Sequence, residues 1–224
     1  MTTKKRGGRV LLLGLAAALS PVAGGGGVLG AQEDATVPED RDRGTVGVFL
    51  GSTSSLQLWT GSFASDRIQG FGLGVFVDVR TPVQFLSIRA EAGYAGRGGL
   101  VWDEVMDPEG AAEATLRGHY LSFPVHGKMA VGLGPISGYL FAGPTLDFLL
   151  DTGCSAEFCQ AIREEKTTVF SVAGGVGLGV ELGSRLRAGF ELRLTEGISD
   201  AYLVNGDSAR NRTTELLVRV GRPL

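Results

Sequence analysis

Two histidines and a serine lie close together in the sequence and could belong to a catalytic centre. His119 and His126 are the only histidines of the chain, and Ser122 lies between them. A serine nucleophile needs its histidine base within hydrogen-bond distance. In an extended strand, however, Ser122 and His126 would stand about 13 Å apart, so they cannot meet within that strand. We therefore expect no catalytic residue here and no enzymatic activity.

Two other motifs have a chemical meaning in other proteins. Asp151-Thr152-Gly153 matches the catalytic triplet of retroviral-type proteases, but it follows an apolar segment without supporting context, which indicates a turn. The glycine-rich run at 174–179 is similar to a phosphate-binding loop. No helical pattern follows this run, so the helix N-terminus on which such a loop depends is absent.

The cysteines predict a cross-link rather than a metal site. Cys154 and Cys159 are the only two, and they are five positions apart. In a secreted chain this spacing is consistent with a disulfide that closes a small loop, with free thiols as the alternative. No histidine or second cysteine pair lies nearby, so we expect no metal. We also expect no cofactor.

The N-terminal region predicts secretion. Four basic residues precede an apolar run at 10–19, and a stretch of small residues ends at Gly30-Ala31. This order is typical of a signal peptide, cleaved after Gly30 or Ala31. Its removal leaves 17 basic and 24 acidic side chains, a balance that does not favour nucleic-acid binding. We therefore divide the chain into a signal peptide at 1–31, a disordered polar arm at 32–43, and one further domain at 44–224.

Beyond the arm, apolar and polar residues alternate with the period of a β-strand. Glycine also alternates with apolar residues in several segments, which argues against helices. The phase of the alternation changes near Tyr120, so we expect a β-bulge there. Eight segments show the strand pattern: 45–51, 70–80, 84–96, 113–131, 136–150, 168–182, 185–196 and 212–221.

The connections between these segments alternate in length. Three are short and contain Gly, Pro or Ser, near residues 80–82, 132–135 and 183–184. The other four are long and polar, at 52–69, 97–112, 151–167 and 197–211. Short turns at one end and long loops at the other are typical of outer-membrane barrels. We predict that residues 44–224 form an outer-membrane β-barrel domain with an all-β fold: an eight-stranded, antiparallel, up-and-down transmembrane β-barrel with short periplasmic turns and long outer loops.

Charged residues alternate with the apolar face throughout the predicted strands. Strands in lipid must close on themselves, because unpaired backbone groups there cost several kcal/mol each. We therefore expect the apolar face to contact lipid and the charged face to form a lumen network, with the small residues at 174–179 leaving room for bulky lumen side chains such as Tyr139. The network contains Asp78, Arg89, Glu91, Lys128, Asp147, Glu181, Arg187, Glu191, Arg193, Glu215 and Arg219. Aromatic residues near the outer strand ends predict an interfacial girdle: Tyr94, Tyr120, Phe148, Phe170 and Tyr202.

Several segments resemble the PorT-like outer-membrane β-barrel proteins. The segment at 120–128 (YLSFPVHGK) is similar to that family's "YLEIPLLLK" stretch, although Ser122 stands where the family usually has Glu. The segments at 138–144, 174–181 and 190–193 are similar to its "PYLLAGP", "GAGVE" and "LEARY" strands. The resemblance covers residues 44–221, and it implies a barrel fold and a bacterial outer-membrane location without implying a single activity.

Three functional hypotheses follow. The first is a non-enzymatic structural or interaction module, with a side-chain-filled charged lumen and surface-exposed loops. The second is a narrow, porin-like channel, which the nearly neutral lumen disfavours. The third is a soluble, lipocalin-like ligand-binding barrel with its apolar face inward. For the first, we expect outer-membrane lipid, the barrel-assembly machinery and an unknown extracellular ligand as partners, no nucleic acid, and a monomer.

Overall fold

The computed structural model describes residues 43–61, 63–83, 85–103, 114–154, 162–183, 185–204 and 206–224. The predicted signal peptide, almost all of the predicted arm, and Cys159 lie outside these residues. No helix in the described ranges is long and apolar enough to cross a membrane.

Eleven β-strands make up the described part of the chain. They are β1 (Gly44–Trp59), β2 (Phe63–Asp66), β3 (Ile68–Arg80), β4 (Leu86–Asp103), β5 (Ala114–Leu133), β6 (Ile136–Cys154), β7 (Ile162–Glu165), β8 (Thr168–Leu182), β9 (Leu186–Gly197), β10 (Tyr202–Val204) and β11 (Asp207–Pro223).

Eight of these strands form a closed ring. The order is β1-β3-β4-β5-β6-β8-β9-β11, and β11 pairs back with β1 from Thr45↔Pro223 to Trp59↔Ala209. Neighbouring strands in the ring are antiparallel. Each strand of the ring pairs with a neighbour on both sides, so the ring has no free edge strand, as lipid requires. The predicted eight-stranded up-and-down barrel is confirmed.

Three short strands extend one end of the ring. β2 pairs with β4, and β10 pairs with both β11 and β7. They lie at the end opposite the short turns, in segments predicted as long outer loops. The short turns connect β3 to β4, β5 to β6 and β8 to β9, and in the last two Gly134 (φ 63°) and Gly183 (φ 73°) adopt the left-handed backbone conformation that favours glycine.

The apolar face of the ring points outward over most of its height. Leu50, Leu140 and Leu178 are each more than half exposed, as are many neighbouring aliphatic and aromatic side chains. The alternating residues are buried inside and include the charged ones. This orientation is the reverse of a soluble lipocalin-like barrel, because its apolar surface is on the outside.

The outer end of the barrel has the opposite polarity. There Val101, Leu116 and Val169 point inward and are fully buried, while the outward positions carry polar side chains such as Gln69 and Arg212. This part is built like a water-soluble barrel. It also explains why the strands are longer than predicted: β1 runs to Trp59 and β11 begins at Asp207. Where the wall leaves the membrane, the apolar residues change from the outer face of the strands to the inner face. The alternation changes phase there, and the sequence pattern is that of a loop.

A β-bulge between β5 and β6 shifts the register near this transition. His119 pairs with Asp151 but Tyr120 pairs with Leu149, so Leu150 is the extra residue and belongs to β6. The irregularity lies beside Tyr120, as expected, but β5 itself keeps its alternation. The apolar pattern of the sequence changes phase there because Leu116 and Tyr120 are apolar residues on the inner face. The bulge leaves Asp151-Thr152-Gly153 in a strand, so the predicted turn there is wrong.

Candidate functional site in the barrel lumen

Two glutamates and three arginines form an ion network at the centre of the lumen. Arg89 on β4 donates to Glu191 on β9 (Nη1–Oε2, 2.6 Å). Arg219 on β11 bridges both acids, to Glu91 Oε1 at 2.7 Å and to Glu191 Oε2 at 2.8 Å. Arg193 donates to Glu91 at 2.8 Å and to Glu191 at 2.9 Å. Each of these side chains is at least 95% buried, so the charges depend on one another for stabilisation.

Aromatic rings fill the space around this central network. The Arg219 guanidinium carbon lies 4.9 Å from the ring centre of Phe49 and 5.1 Å from that of Phe76. The same carbon of Arg193 lies 5.6 Å from the ring centre of Phe141. Such stacked cation–π contacts stabilise desolvated arginines. Guanidinium groups and rings together therefore occupy the middle of the lumen.

The periplasmic end of the lumen contains a second charged layer and a cavity. Asp78 accepts from Arg89 at 3.2 Å and from Lys128 at 2.7 Å. Arg187 donates to Glu181 at 2.8 Å and to Thr45 at 2.7 Å. A cavity of about 280 Å³ lies among these groups, and glycines on β8 and β9 form part of its wall. The lumen is thus open to the periplasmic side, and this vestibule extends to Arg89 and Arg219 of the central network.

The outer layer of charge was incompletely predicted from the sequence. Arg97 is an ion-pair partner of Asp147, which also accepts from the hydroxyls of Ser122 and Ser171. Arg97 is 3% exposed, although the sequence pattern predicts a long outer loop at 97–112. Arg97 lies two positions after the buried Ala95 and so on the same inward face of β4. Continuing the strand pattern past residue 96 would have predicted its burial. With Arg97, the predicted lumen set contains six acidic and six basic side chains.

An apolar cluster closes the outer end of the lumen. Its buried members are Val101, Leu116, Tyr120, Val169, Ala201, Tyr202 and Ala209, which come from ring strands and from the β10 region. The Tyr120 hydroxyl donates to that of Tyr202 at 3.3 Å, and Asn211 donates to Tyr120 at 3.1 Å. Burial, reinforced by the neighbouring phenol, raises the pKa of Tyr202 well above its usual range. We call this set the apolar cap.

The remaining predicted positions differ in their burial. Glu215 is buried and lies 3.5 Å from Arg193, whereas Glu181 and Arg187 stand at the periplasmic rim, where Glu181 is about half exposed. His126 is fully buried, with Nδ1 at 3.8 Å from Glu91, and neither ring nitrogen has a hydrogen-bond partner among the described residues. Cys154 is disulfide-bonded at the end of β6; Cys159 lies outside the described residues.

The predicted aromatic girdle needs a correction. Tyr94, Phe148 and Phe170 point outward, but Tyr120 and Tyr202 are inside the apolar cap and at most 1% exposed. The reason is the reversal of polarity, which places apolar side chains inside the barrel at the height of these two tyrosines. Phe71 and Phe123 take their place on the outer surface, where they contact Tyr94 and Phe148 with ring centres 5.1 and 5.9 Å apart.

A closed antiparallel ring with a lipid-facing apolar surface and a charged interior defines an outer-membrane β-barrel protein. The sequence agrees with this class, since the family described as "Outer membrane protein beta-barrel domain" matches residues 39–202. The chain belongs to this family, and its location is the bacterial outer membrane. Among curated proteins, none matches the chain.

Solved structures of outer-membrane proteins align with most of this chain. The outer membrane protein OprG from Pseudomonas aeruginosa has a TM-score of 0.56 at 9% identity, over 82% of this chain and 97% of that chain. A major outer membrane protein from Thermus thermophilus has a TM-score of 0.45 at 11% identity, over 80% and 99% of the two chains. The outer membrane protease OmpT from Escherichia coli has a TM-score of 0.45 at 9% identity, over 85% and 99%.

Proposed function

We propose that this protein is a non-enzymatic structural or interaction barrel. Its lumen is closed to passage, and its outer strands and loops present a binding surface to the exterior. The observation that carries this proposal is the contact between Arg89 on β4 and Glu191 on β9. These strands are four positions apart in a ring of eight, so the ion pair crosses the full width of the lumen.

The apolar cap supports closure at a second level. Tyr120 and Leu116 are fully buried at the outer end, and apolar side chains exclude water as well as ions from that part of the lumen. An ion entering from the periplasmic vestibule would have to displace the central network and then cross the cap. Both steps oppose conduction.

A narrow channel is the second candidate, and the vestibule of about 280 Å³ is the observation in its favour. Planar-bilayer recording of the purified protein distinguishes the two functions. We expect no stepwise current above the baseline of detergent added without protein. Reproducible steps whose size rises with salt concentration would show that the lumen conducts and would overturn the closed scaffold.

The histidine and serine positions support a non-enzymatic role. The Ser122 hydroxyl donates to Asp147, and the buried imidazole of His126 contacts Glu91 and Phe141 instead of Ser122. Among the described residues, Ser122 therefore contacts a carboxylate that is already paired with Arg97, and not the histidine base that a serine nucleophile requires. Incubation with ester and peptide substrates is expected to give no turnover above that of boiled protein.

The proposal also includes a narrower protein group, an oligomeric state and the partners of the barrel. The strand motifs that resemble PorT-like proteins support a place in that group. The closed ring leaves no unpaired edge within the membrane, which supports a monomer that contacts outer-membrane lipid and needs the barrel-assembly machinery for insertion. An unknown extracellular ligand would bind at the outer end. A disulfide between Cys154 and Cys159 would hold one outer loop in shape.

A further inference from the structure

The outer wall of β3, β4 and β5 carries a compact polar and aromatic surface where the lipid-facing belt ends. Tyr94 on β4 lies in register with Leu73 on β3 and Leu121 on β5, both exposed on the outside. Its ring lies 5.1 Å from Phe71 and 5.8 Å from His119, and its hydroxyl hydrogen-bonds His119 Nδ1. The apolar belt therefore ends in a phenol and an imidazole, which tolerate both lipid and water.

Two arginines lie beyond these rings on either side of Gln69. Arg117 on β5 reaches across β4 and donates to the Gln69 carbonyl oxygen at 3.1 Å. Arg67 donates to the Ser54 carbonyl oxygen at 3.5 Å, and the Gln69 amide donates to the Ser54 hydroxyl at 3.4 Å. Ser54 and Gln69 are cross-strand partners, so the two guanidinium groups converge on neighbouring backbone groups.

Gly96 leaves room on this wall between Phe71 on β3 and His119 on β5. It is the cross-strand partner of His119 and carries no side chain. A Cβ at Gly96 would lie 3.7 Å from the Tyr94 hydroxyl and 3.8 Å from the Phe71 carbonyl oxygen, both ordinary contact distances. The result is a shallow furrow over β4, with aromatic groups at its membrane end and guanidinium groups at its outer end.

The charge pairing of these arginines differs from that of other arginines on the outer surface. Arg210 is paired with Asp200 at 2.9 Å, and Arg212 with Glu196 at 2.6 Å. Among the described residues, no carboxylate lies within ion-pair distance of the Arg67 or Arg117 guanidinium, and their hydrogen bonds go to backbone oxygens. The neighbouring Asp66 uses its carboxylate to accept the backbone N–H of Arg67.

We propose that this surface, formed by Arg67, Gln69, Phe71, Tyr94, Arg117 and His119, binds an anionic lipid of the outer leaflet through its phosphate group. Guanidinium groups match phosphate oxygens with paired hydrogen bonds. The phosphate would lie between Arg67 and Arg117, and the acyl chains would pack on Leu73 and Leu121. This order of charge, interfacial ring and apolar surface is the order of groups along a phospholipid.

Native mass spectrometry of the detergent-purified protein tests the proposal, with phosphatidic acid and phosphatidylcholine as probes. We expect the wild type to prefer phosphatidic acid. The R67Q/R117Q variant should bind it about thirtyfold more weakly, since each arginine near a phosphate contributes about 1 kcal/mol. Binding of phosphatidylcholine should not change. R67Q/R117Q binding phosphatidic acid as tightly as the wild type would overturn the proposal.

The matched control is R210Q/R212Q, which removes the same charge from the outer surface. It is expected to bind phosphatidic acid like the wild type, and an equal loss would show that only net charge matters. R67K and R117K keep the charge and the fold; each should weaken binding several-fold because lysine lacks the planar donor pair. Inorganic phosphate is the last probe: full displacement of the lipid at equal concentration would mean that the site selects a free ion and not a lipid.

Discussion

Tyr139 on β6 lies directly opposite Gly177 on β8, and its ring occupies the space into which a side chain at position 177 would extend. A Cβ at Gly177 would stand 2.1 Å from the Tyr139 ring carbon Cζ. The same ring lies over the Lys128 ammonium, 4.5 Å from its centre, and its hydroxyl donates to Glu191 at 3.2 Å. One glycine thus lets one tyrosine connect the periplasmic layer of charge to the central network.

The first prediction concerns this glycine. Gly177→Ala should destabilise the barrel by about 1–3 kcal/mol, because Tyr139 must leave its position or the strands must move apart. Urea unfolding in phospholipid vesicles measures the difference. Gly138→Ala is the control, since a Cβ there has its nearest neighbour at 4.0 Å. Equal stability of the two variants would contradict the close packing described.

The second prediction concerns the central ion network. Glu191→Gln should destabilise the barrel by about 3–5 kcal/mol, because Arg89, Arg193 and Arg219 would lose a shared counter-charge in a buried place. Glu196→Gln breaks the exposed pair with Arg212 and should cost about 1 kcal/mol or less. The same unfolding assay compares them. A Glu191 variant as stable as the Glu196 variant would mean that the network is solvated.

The third prediction separates the apolar cap from the lipid-facing belt. Leu116→Ala removes a fully buried side chain and should cost about 2–5 kcal/mol, because the protein interior cannot close the resulting cavity. Leu121→Ala, on the outer face of the same strand, should cost less, since lipid fills the space. Hydrogen exchange of the β10 amides should accelerate in the first variant and stay unchanged in the second.

The fourth prediction tests the orientation of the wall. Leu140→Arg places a charge on the lipid-facing side of β6 and should cost about 2–4 kcal/mol near the bilayer centre. Thr115→Arg places the same charge on the outward face beyond the belt and should be nearly neutral. The folded fraction after insertion into vesicles, read from the difference in gel mobility between boiled and unboiled samples, gives both values. Similar folding yields would argue against a lipid-facing Leu140.

The fifth prediction concerns the outer loop that follows β6. Peptide mapping without reductant should recover Cys154 linked to Cys159. Reduction, or Cys154→Ser, should lower the free energy of unfolding by about 2 kcal/mol, because the closed loop is short. Cys159→Ser should have the same effect, and the double variant should add nothing to it. Unequal single variants would show that the cysteines act independently.

Much of the fold could be predicted from the sequence because alternation with a period of two records which face meets lipid. All eight ring strands and their order came from that pattern, as did the burial of charges such as Arg89 and Glu191. The prediction of strand bounds and of inward-facing residues was less accurate where the surroundings of the barrel change from lipid to water. Beyond that boundary an inward Leu116 or Tyr120 has the same apolar character as an outward Leu121, so the pattern cannot tell the faces apart.

The features that the sequence pattern missed depend on contacts between residues far apart in the chain. Arg97 lies in a glycine-rich stretch that reads as a loop, yet it is held inside by Asp147 on a strand 50 residues away. The bulge at Leu150 depends on pairing between two strands, and no local pattern specifies which of them carries the extra residue. The short strands β2, β7 and β10 likewise depend on the closed ring to which they attach.

The reversal of polarity along the wall also governs how deeply the molecule sits in its bilayer. From Phe71 to Val79 the outward apolar face of β3 measures about 26 Å along the strand, and the tilt of barrel strands shortens this to about 20 Å across the hydrocarbon. If the barrel sat deeper in the membrane, Gln69 and Arg117 would enter the hydrocarbon layer. If it sat higher, leucines of the apolar face would contact water. The protein therefore fixes its own immersion depth, and a thicker membrane should thin around it rather than move the barrel.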